Sequence, residues 1–267
     1  MIAVISGTGN LPLQACKNLL ASNKKFFVIS LFPQNNIRSL KKICQNKATV
    51  FAEKFYKAGK ILNLLKNENT KNVLFIGKVD KKNLLKNIKL DWLAIKILAS
   101  MACKSDKTIM EKLLSVLKKK GIGIIKQNEI LKSLIVKPGI LTGSITDKIE
   151  VDIKFGMNIA QNISQCDIGQ TVVIKDKMVI AIEAIEGTDD CIKRGIELGK
   201  NNLVICKSAH EKQNQKYDLP TLGPNSLKGL KKDQVKAIAW KSSHTFISEK
   251  EEFIKKAKEL NITLISI

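Results

Sequence analysis

Short apolar runs alternate with longer amphipathic stretches in the first half of the chain, and this alternation constrains the fold more than any other feature. The runs IAVIS (2–6), FFVISLF (26–32) and KNVLFIGKV (71–79) are rich in β-branched and aromatic residues, as buried strands are. The stretches between them place apolar residues at helical spacing. Strands separated by helices indicate crossover connections and a parallel sheet. We expect a Rossmann-like N-terminal domain over residues 1–131.

The pattern then changes. Pro138 and Gly139 mark a break, and the run TVVIKDKMVIAIEAIEG (171–187) predicts two strands joined by a tight turn. A helix near 190–198, a strand at 203–209 and a further strand–helix–strand series follow. A chain of 267 residues that is 44% apolar is long enough for two hydrophobic cores. We therefore expect a two-domain α/β protein, with a C-terminal α/β domain over residues 132–267.

Lysine supplies almost all of the positive charge. The chain has 46 Lys and Arg against 24 Asp and Glu, a formal net charge of +22, yet Arg38 and Arg194 are its only arginines. Base readout and bidentate phosphate contacts favour the guanidinium group, and two Trp and two Tyr offer few stacking surfaces. We expect no nucleic-acid partner. The lysine excess reflects either a compositional bias or attraction to an anionic membrane surface or phosphorylated ligand.

The cysteines and the apolar segments bear on the compartment. The six cysteines are scattered without a C-x-x-C pair, which is typical of reduced thiols in a cytoplasmic protein. No basic region precedes the apolar N-terminus, so we expect no secretory signal. The apolar stretch 92–103 is too short to span a bilayer. It is either ordinary core or the lining of a cleft for an apolar ligand.

A glycine turn follows the first predicted strand. Gly7, Gly9 and Asn10 lie between this strand and a predicted helix, where the backbone and the helix N-terminus can bind a phosphate. The turn is incomplete as a dinucleotide fingerprint, because Pro12 stands at the third glycine position and no acidic residue ends the second strand. The alternative is that Gly7 and Gly9 only form the tight turn of a doubly wound sheet.

Four carboxylates, those of Glu183, Glu186, Asp189 and Asp190, lie within eight residues of an otherwise basic chain. They would repel one another unless they were solvated or neutralised by a cation. Oxygen ligands of this kind suit Mg²⁺ or Mn²⁺. The alternative is that Thr188 or Asp189 caps the following helix and that the glutamates lie on a solvated strand face.

A second candidate is the segment YDLPTLGP (217–224), in which two prolines and a glycine surround Asp218. Such a loop is rigid and can hold a side chain in place for chemistry. The alternative is that Asp218 is an Asx-turn residue without a chemical role. His210 and His244 lack the spacing of a catalytic triad, and we expect neither to be a general base.

Six runs of the sequence, in chain order, carry a resemblance to a known family. They are GTGNLP (7–12), IGKV (76–79), DIKFGMNIAQ (152–161), CDIGQTVVI (166–174), AIEAIEGTDDCIKRG (181–195) and YDLPTLGP (217–224). Together they resemble the LpxI family of UDP-2,3-diacylglucosamine pyrophosphatases over nearly the whole chain. The resemblance implies two domains that enclose a lipid-linked ligand.

The resemblance also implies an activity and a location. It implies Mg²⁺-dependent hydrolysis of the pyrophosphate of UDP-2,3-diacylglucosamine by water attack at the α-phosphorus, which yields UMP and 2,3-diacylglucosamine 1-phosphate. The implied setting is lipid A biosynthesis by a cytoplasmic enzyme bound peripherally to the inner membrane. The implied partners are the lipid-linked UDP-sugar and a second copy of the chain in a homodimer.

Site residues follow from the matching motifs. The implied catalytic residues are Asp218, Asp189 and Glu186, and the implied Mg²⁺ ligands are Asp218, Asp189 and Glu183. The implied substrate-binding residues are Gly7, Gly9, Asn10, Lys78, Thr188 and Thr221. Family members often carry a Gly-Asp-Asp run where this chain has Ser105-Asp106-Lys107, which leaves the role of Asp106 open.

Two other functions remain as alternatives. The glycine turn after the first strand suits another nucleotide-sugar or dinucleotide-binding enzyme. The charge of +22 suits a basic nucleic-acid-binding module, whose affinity would fall steeply with salt.

Overall fold

The computed structural model describes residues 1–78, 91, 106–208 and 219–267. The chain divides into two compact units, Met1–Leu131 and Lys132–Ile267. Each unit contains its own sheet and its own buried core. The predicted class, an α/β protein of two domains with an N-terminal parallel sheet, is confirmed.

The N-terminal unit alternates strands and helices. Its described elements are β1 (Ile2–Ser6), α1 (Leu11–Ala21), β2 (Phe26–Ser30), α2 (Pro33–Cys44), β3 (Val50–Ala52), α3 (Ala58–Asn67), β4 (Asn72–Ile76), α4 (Asp106–Lys119), β5 (Gly123–Ile124) and α5 (Gln127–Ile130). The five strands are parallel, in the order β3-β2-β1-β4-β5. Helices cover such a sheet on both faces, which explains why the predicted strands are continuous apolar runs.

The predicted strand 26–32 is shorter in the structure. β2 ends at Ser30, and α2 begins at Pro33. Proline has no N–H for a strand ladder, but it is favoured in the first turn of a helix. The apolar residues Leu31 and Phe32 therefore connect the two elements instead of extending the strand.

The strand order reverses at β1, which lies between β2 and β4. The loops that follow β1 and β4 bond to each other through their backbones: Thr8 N–H donates to the Lys78 carbonyl at 2.8 Å, and Lys78 N–H donates to the Thr8 carbonyl at 2.9 Å. Gly77 lies in this contact with φ +99°, and a Cβ there would come within 2.7 Å of Pro12 Cγ. Only glycine fits this close approach without displacing its neighbours.

The C-terminal unit is a second α/β fold. Its described elements are β6 (Gly139–Thr142), α6 (Asp147–Gln165), β7 (Thr171–Lys175), β8 (Met178–Ile182), α7 (Thr188–Gly199), β9 (Leu203–Lys207), β10 (Thr221–Leu222), β11 (Val235–Trp240), β12 (Phe246–Ile247), α8 (Lys250–Glu259) and β13 (Thr263–Ser266). Six strands form one sheet in the order β6-β13-β11-β9-β7-β8, and β10 pairs with β12 separately. Strands β9, β11 and β13 are parallel to one another, whereas β7 runs antiparallel to both β8 and β9.

Helices pack on both faces of this sheet. One face carries α6, whose Ile153 and Ala160 pack with Val204 of β9. The other face carries α7 and α8, and its core includes Ile205 of β9 and the large side chain of Trp240 at the end of β11. Because neighbouring residues of a strand point to opposite faces, Lys207 lies on the same face as Ile205.

The turn between β7 and β8 is held by a buried carboxylate. Asp176 and Lys177 both have positive φ, at 50° and 58°, as the two central residues of a tight hairpin turn do. Asp152 on α6 is 3% exposed and accepts hydrogen bonds from the N–H groups of Asp176 at 3.0 Å and Lys177 at 2.7 Å. This contact joins α6 to the hairpin.

Some expectations fall outside the described residues. The stretch 92–103, proposed as core or as the lining of an apolar cleft, lies there, as does His210. After this stretch, α4 is described over Asp106–Lys119 and is followed by Gly121 at φ +73°. Among the described helices, none has both the length and the apolar character needed to cross a bilayer.

Replacing Asp152 by alanine should destabilise the C-terminal unit. The change removes a charged acceptor from two backbone N–H groups, and hydrogen bonds to charged groups contribute about 2 kcal/mol. We expect Asp152→Ala to lower the free energy of unfolding by about that amount in a denaturant titration. Glu150→Ala, which removes an exposed i,i+4 ion pair of the same helix, is the control and should cost less than about 0.5 kcal/mol. Equal losses in the two variants would contradict this role for Asp152.

Gly77→Ala should destabilise the N-terminal unit more than Gly121→Ala. Both glycines have positive φ, but a Cβ at Gly121 meets no atom within 4 Å, whereas one at Gly77 overlaps Pro12 and the Thr8 carbonyl. Backbone strain alone costs about 1 kcal/mol, and overpacking adds roughly 1–3 kcal/mol. The measurement is the shift in denaturation midpoint. A Gly77 variant as stable as the Gly121 variant would show that the two loops separate easily.

Candidate functional site

The candidate site is centred on a buried lysine. Lys207 is the last residue of β9, and its side chain is only 4% exposed. It continues the apolar face formed by Leu203 and Ile205. An ammonium group in this position is costly unless hydrogen bonds and an opposite charge compensate it.

Three elements supply that compensation. Lys207 Nζ donates to Thr171 Oγ1 at 2.9 Å and to Thr188 Oγ1 at 2.7 Å, and it lies 3.6 Å from Glu183 Oε2. Thr171 begins β7, Glu183 directly follows β8, and Thr188 begins α7. The cluster of Lys207, Thr171, Glu183 and Thr188, which we call the Lys207 cluster, therefore lies at the edge of the sheet where β8 and β9 end.

Glu183 is the negative partner in this cluster. Its side chain is 13% exposed, and Thr188 Oγ1 donates to its Oε1 at 3.0 Å. Burial raises the pKa of the Glu183 carboxyl, but the Lys207 charge, the threonine hydroxyls and the backbone at Gln170 lower it by more, so the net pKa lies below its ordinary value. Glu183 Oε2 is buried and accepts no hydrogen bond from the described residues. Its compensation comes from the charge of Lys207.

Glu186 has a different partner. Its carboxylate accepts a hydrogen bond from the guanidinium of Arg194, which also donates to the Ile182 carbonyl at 2.8 Å. The Ala184 N–H donates to Glu186 Oε2 at 3.2 Å. The hydrogen bond from Arg194 holds the pKa of Glu186 below its ordinary value. Glu186 is therefore ion-paired beside the Lys207 cluster and is not part of it.

Asp189 lies in the first turn of α7, and its side chain is exposed. The helix follows Gly187, which has φ +86° and no side chain to cap the helix. A carboxylate in the first turn interacts favourably with the partial positive charge of the helix N-terminus. Thr188 precedes Asp189 and connects this turn to Lys207 by a hydrogen bond, so the position of Asp189 depends on Thr188.

Two of the three proposed Mg²⁺ ligands, Glu183 and Asp189, lie within the described residues. Within the described ranges, no group of three or more His, Cys, Asp and Glu side chains is placed to hold a metal. Glu183 already faces an ammonium 3.6 Å away, and a divalent cation bound there would be repelled by it. Asp218, the remaining proposed ligand, lies outside the described residues.

The rest of the 217–224 segment is well anchored from Leu219 onward. Leu219 and Pro220 are buried, and the Pro220 carbonyl accepts a hydrogen bond from Phe246 N–H at 2.8 Å. Thr221, a predicted substrate-binding residue, begins β10 and is partly buried. The described part of the loop around the two prolines is therefore buried and hydrogen-bonded.

The predicted residues of the N-terminal unit meet at the point where the strand order reverses. Gly7 N–H donates to the Ile76 carbonyl at 2.8 Å, so it helps to join the loops after β1 and β4. Gly9 has φ +93° with open space on its Cβ side, Asn10 precedes α1, and the Lys78 side chain is exposed. A tight structural turn thus accounts for Gly7, whereas Gly9, Asn10 and Lys78 lie where a ligand can approach.

Local sequence pattern does not predict a site role for Lys207 or Thr171. Lys207 ends the run LVICK, and the signal available was a lysine that directly continues an apolar strand. Thr171 begins the apolar run TVVIK and gave no comparable signal. Their contact with Glu183 depends on the pairing of β7 with β9, in which Thr171 lies opposite Lys207.

Comparison with solved structures gives a distant likeness. A UDP-glucose-4-epimerase from Stenotrophomonas maltophila, with bound NAD and formylated UDP-arabinopyranose, matches 45% of this chain and 34% of its own at 13% identity and a TM-score of 0.31. A similarity of this size carries no argument about fold or function.

Comparison with protein families and characterised sequences is more informative. The LpxI N-terminal domain model matches residues 1–134, and the LpxI C-terminal domain model matches residues 137–265. The UDP-2,3-diacylglucosamine pyrophosphatase LpxI of Caulobacter vibrioides is 25% identical over 279 aligned positions, which cover 100% of this chain and 97% of the relative. With both domains matched in order and almost no part of the chain left over, this protein belongs to the LpxI family.

Proposed function

We propose that this chain hydrolyses the pyrophosphate bond of UDP-2,3-diacylglucosamine to UMP and 2,3-diacylglucosamine 1-phosphate, a step of lipid A biosynthesis. The observation that carries the proposal is the match over the whole chain to a Caulobacter relative named for this activity. Both family domains are present, so neither half of the relative is missing here.

The geometry of the C-terminal unit supports this chemistry. Hydrolysis of a pyrophosphate requires that its negative oxygens be partly neutralised before water can approach the phosphorus. The Lys207 cluster holds Thr188 at the start of α7, and the first N–H groups of that helix supply partial positive charge that can face phosphate oxygens. Thr188 and Thr221 are proposed to contact the substrate in this unit.

The proposed reaction is a displacement at the α-phosphorus. The oxygen of a water molecule forms a bond to that phosphorus while the bond to the bridging oxygen breaks. UMP keeps the new oxygen, and 2,3-diacylglucosamine 1-phosphate leaves with the bridging one. We propose Asp218 and Asp189 as the residues that act on the reacting groups, with Glu186, held by Arg194, orienting the attacking water.

The N-terminal unit is proposed to contribute to substrate binding through Gly9, Asn10 and Lys78, with Gly7 shaping the turn. In open parallel sheets, ligands bind outside the carboxyl ends of the strands at the point where the strand order reverses. The loops after β1 and β4 occupy that point, and their backbones already bond to each other. The exposed lysine and the start of α1 suit an anionic part of the ligand.

A Mg²⁺ requirement is part of the proposal and rests on the resemblance together with the charge of the substrate. A bound Mg²⁺ would neutralise phosphate oxygens and lower the pKa of a coordinated water. Asp189 and Asp218 are the proposed ligands. Glu183, which the resemblance also implies as a ligand, faces Lys207 in the structure.

The proposed setting is the cytoplasmic face of the inner membrane, with the chain as a homodimer. The acyl chains of the proposed substrate partition into lipid, so an enzyme that acts on it benefits from residence at the membrane surface. The net charge of +22 would attract the chain to an anionic leaflet. Vesicle binding and light scattering would test these two points separately.

The purified chain should release UMP from UDP-2,3-diacylglucosamine when Mg²⁺ is present. Removal of divalent cations with a chelator should stop the reaction, because the pyrophosphate then lacks the proposed neutralising charge. The measurement is UMP formation over time, resolved from UDP by chromatography. UDP-glucose serves as the control substrate, because it carries the same pyrophosphate without the acyl chains and should react far more slowly.

The outcomes separate the parts of this proposal. Full activity in chelator would exclude the metal requirement and leave the hydrolase activity standing. No UMP release under any metal condition would overturn the proposed function.

Asp189→Ala and Asp218→Ala should each slow turnover by at least ~10²-fold while leaving a folded protein, the scale observed when electrostatic stabilisation of a transition state is removed. Asp147→Ala is the matched control, because Asp147 is also an exposed aspartate in the first turn of a helix of the same unit. We expect the control to keep turnover within about threefold. The measurement is kcat for UMP release, and near-native kcat in either site variant would remove that residue from the reaction.

A further inference from the structure

Lys207 is a costly residue for a strand end. Its side chain is buried on the face of β9 that also carries Leu203 and Ile205. Trp240 is its neighbour on β11. Replacement of a buried ion pair by apolar residues of similar volume is often neutral or stabilising. The stability of the sheet therefore does not explain a lysine at this position. The side chains that Lys207 contacts point to a functional reason for it.

The contact with Thr188 links Lys207 to the start of α7. Lys207 Nζ donates to Thr188 Oγ1 at 2.7 Å, and the same hydroxyl donates to Glu183 Oε1 at 3.0 Å. Gly187 precedes Thr188 with φ +86° and cannot cap the helix with a side chain. The hydroxyl of Thr188 is thus fixed from both sides by a charged pair, and this contact sets where the first turn of α7 begins.

Asp189 follows Thr188 directly and lies in that first turn. A carboxylate that acts on a reacting group must be held to a fraction of an ångström, and small displacements of this kind cost large factors in rate. The chain from Lys207 through Thr188 to Asp189 is therefore a means of fixing a proposed catalytic side chain from the interior of the unit.

Glu183 completes the arrangement as the counterion. Its Oε2 accepts no hydrogen bond within the described part of the chain, so the ammonium 3.6 Å away is the charge that compensates it. Without Lys207, this largely buried carboxylate would keep the hydroxyl of Thr188 but lose its positive partner. With Lys207 present, a divalent cation on Glu183 would place like charges in contact range.

We propose that Lys207 is a positioning residue of the pyrophosphatase reaction. Through Thr188 it fixes the first turn of α7 and so the carboxylate of Asp189, and Glu183 is its counterion instead of a metal ligand. The inference rests on the proposed function, because it assigns a role in that reaction.

The test compares kcat and KM for UMP release in single variants of the Lys207 cluster. Lys207→Met, which keeps the length of the side chain and removes its charge, should lower kcat by at least ~10²-fold with KM within about threefold. Thr188→Val, which removes only the bridging hydroxyl, should lower kcat by about tenfold. Lys236→Met is the matched control: this lysine lies on the neighbouring strand β11 and pairs with Asp233, and its loss should leave kcat within about twofold.

A double variant distinguishes the counterion role from a purely structural one and from metal binding. In Lys207→Met the buried Glu183 charge is left alone, so adding Glu183→Gln should restore part of the lost kcat. The double variant should therefore lose much less than the product of the two single losses. A metal ligand would behave differently, because Glu183→Gln would then add its full loss to that of Lys207→Met, and higher Mg²⁺ would recover the single Glu183 variant.

Each outcome decides the matter. A wild-type chain that releases no UMP overturns the proposed function and this inference with it. An active wild type overturns the inference alone if Lys207→Met and Thr188→Val keep kcat within threefold of it, if the loss in Lys207→Met appears in KM, or if the losses of Lys207→Met and Glu183→Gln multiply. If Lys207→Met does not fold, Thr188→Val carries the same test, because it leaves the ion pair in place.

Discussion

The burial of one ammonium group organises the C-terminal unit. Lys207 can lie inside this unit only if two hydroxyls and a carboxylate reach it, and these come from β7, the end of β8 and the start of α7. That requirement fixes three chain segments relative to one another at the edge where β8 and β9 end. It also explains why the carboxyl of Glu183 has a lowered pKa in spite of its burial, since the charge that stabilises the anion is built into the fold.

In the N-terminal unit, backbone hydrogen bonds join the loops that follow β1 and β4. These bonds require the close approach that Gly7 and Gly77 permit. A glycine turn after the first strand can therefore serve loop packing or ligand binding, and the sequence does not distinguish these two roles. The contacts assign Gly7 to the packing between loops, whereas Gly9 is open on its Cβ side and remains a candidate for ligand contact.

Much of the fold could be predicted from local pattern. The parallel N-terminal sheet followed from apolar runs separated by helical stretches, and the hairpin of β7 and β8 from two β-branched runs around a short turn. The site was harder, because its geometry depends on register. Glu183, Thr188 and Lys207 meet through the pairing of β7 with β9, and no local spacing encodes that Thr171 lies opposite Lys207. Local spacing indicated that the carboxylates near Glu183 need either solvation or a cation, but it did not show that a lysine supplies the positive charge for Glu183.

The acidic residues of the C-terminal unit differ in whether a fixed cation of the protein balances their charge. Glu183 and Glu186 each have a fixed cation, Lys207 and Arg194, and their charge is balanced whether or not a substrate is bound. A group balanced in this way is suited to holding others in place, because its energy changes little when a phosphate or a metal arrives. Asp189 is exposed at the start of α7, where a ligand in solution can reach its carboxylate. In the proposed reaction, Glu183 therefore belongs to the framework of the site, Glu186 is held by Arg194 to orient the attacking water, and Asp189 at the helix start is proposed to meet the pyrophosphate and its metal.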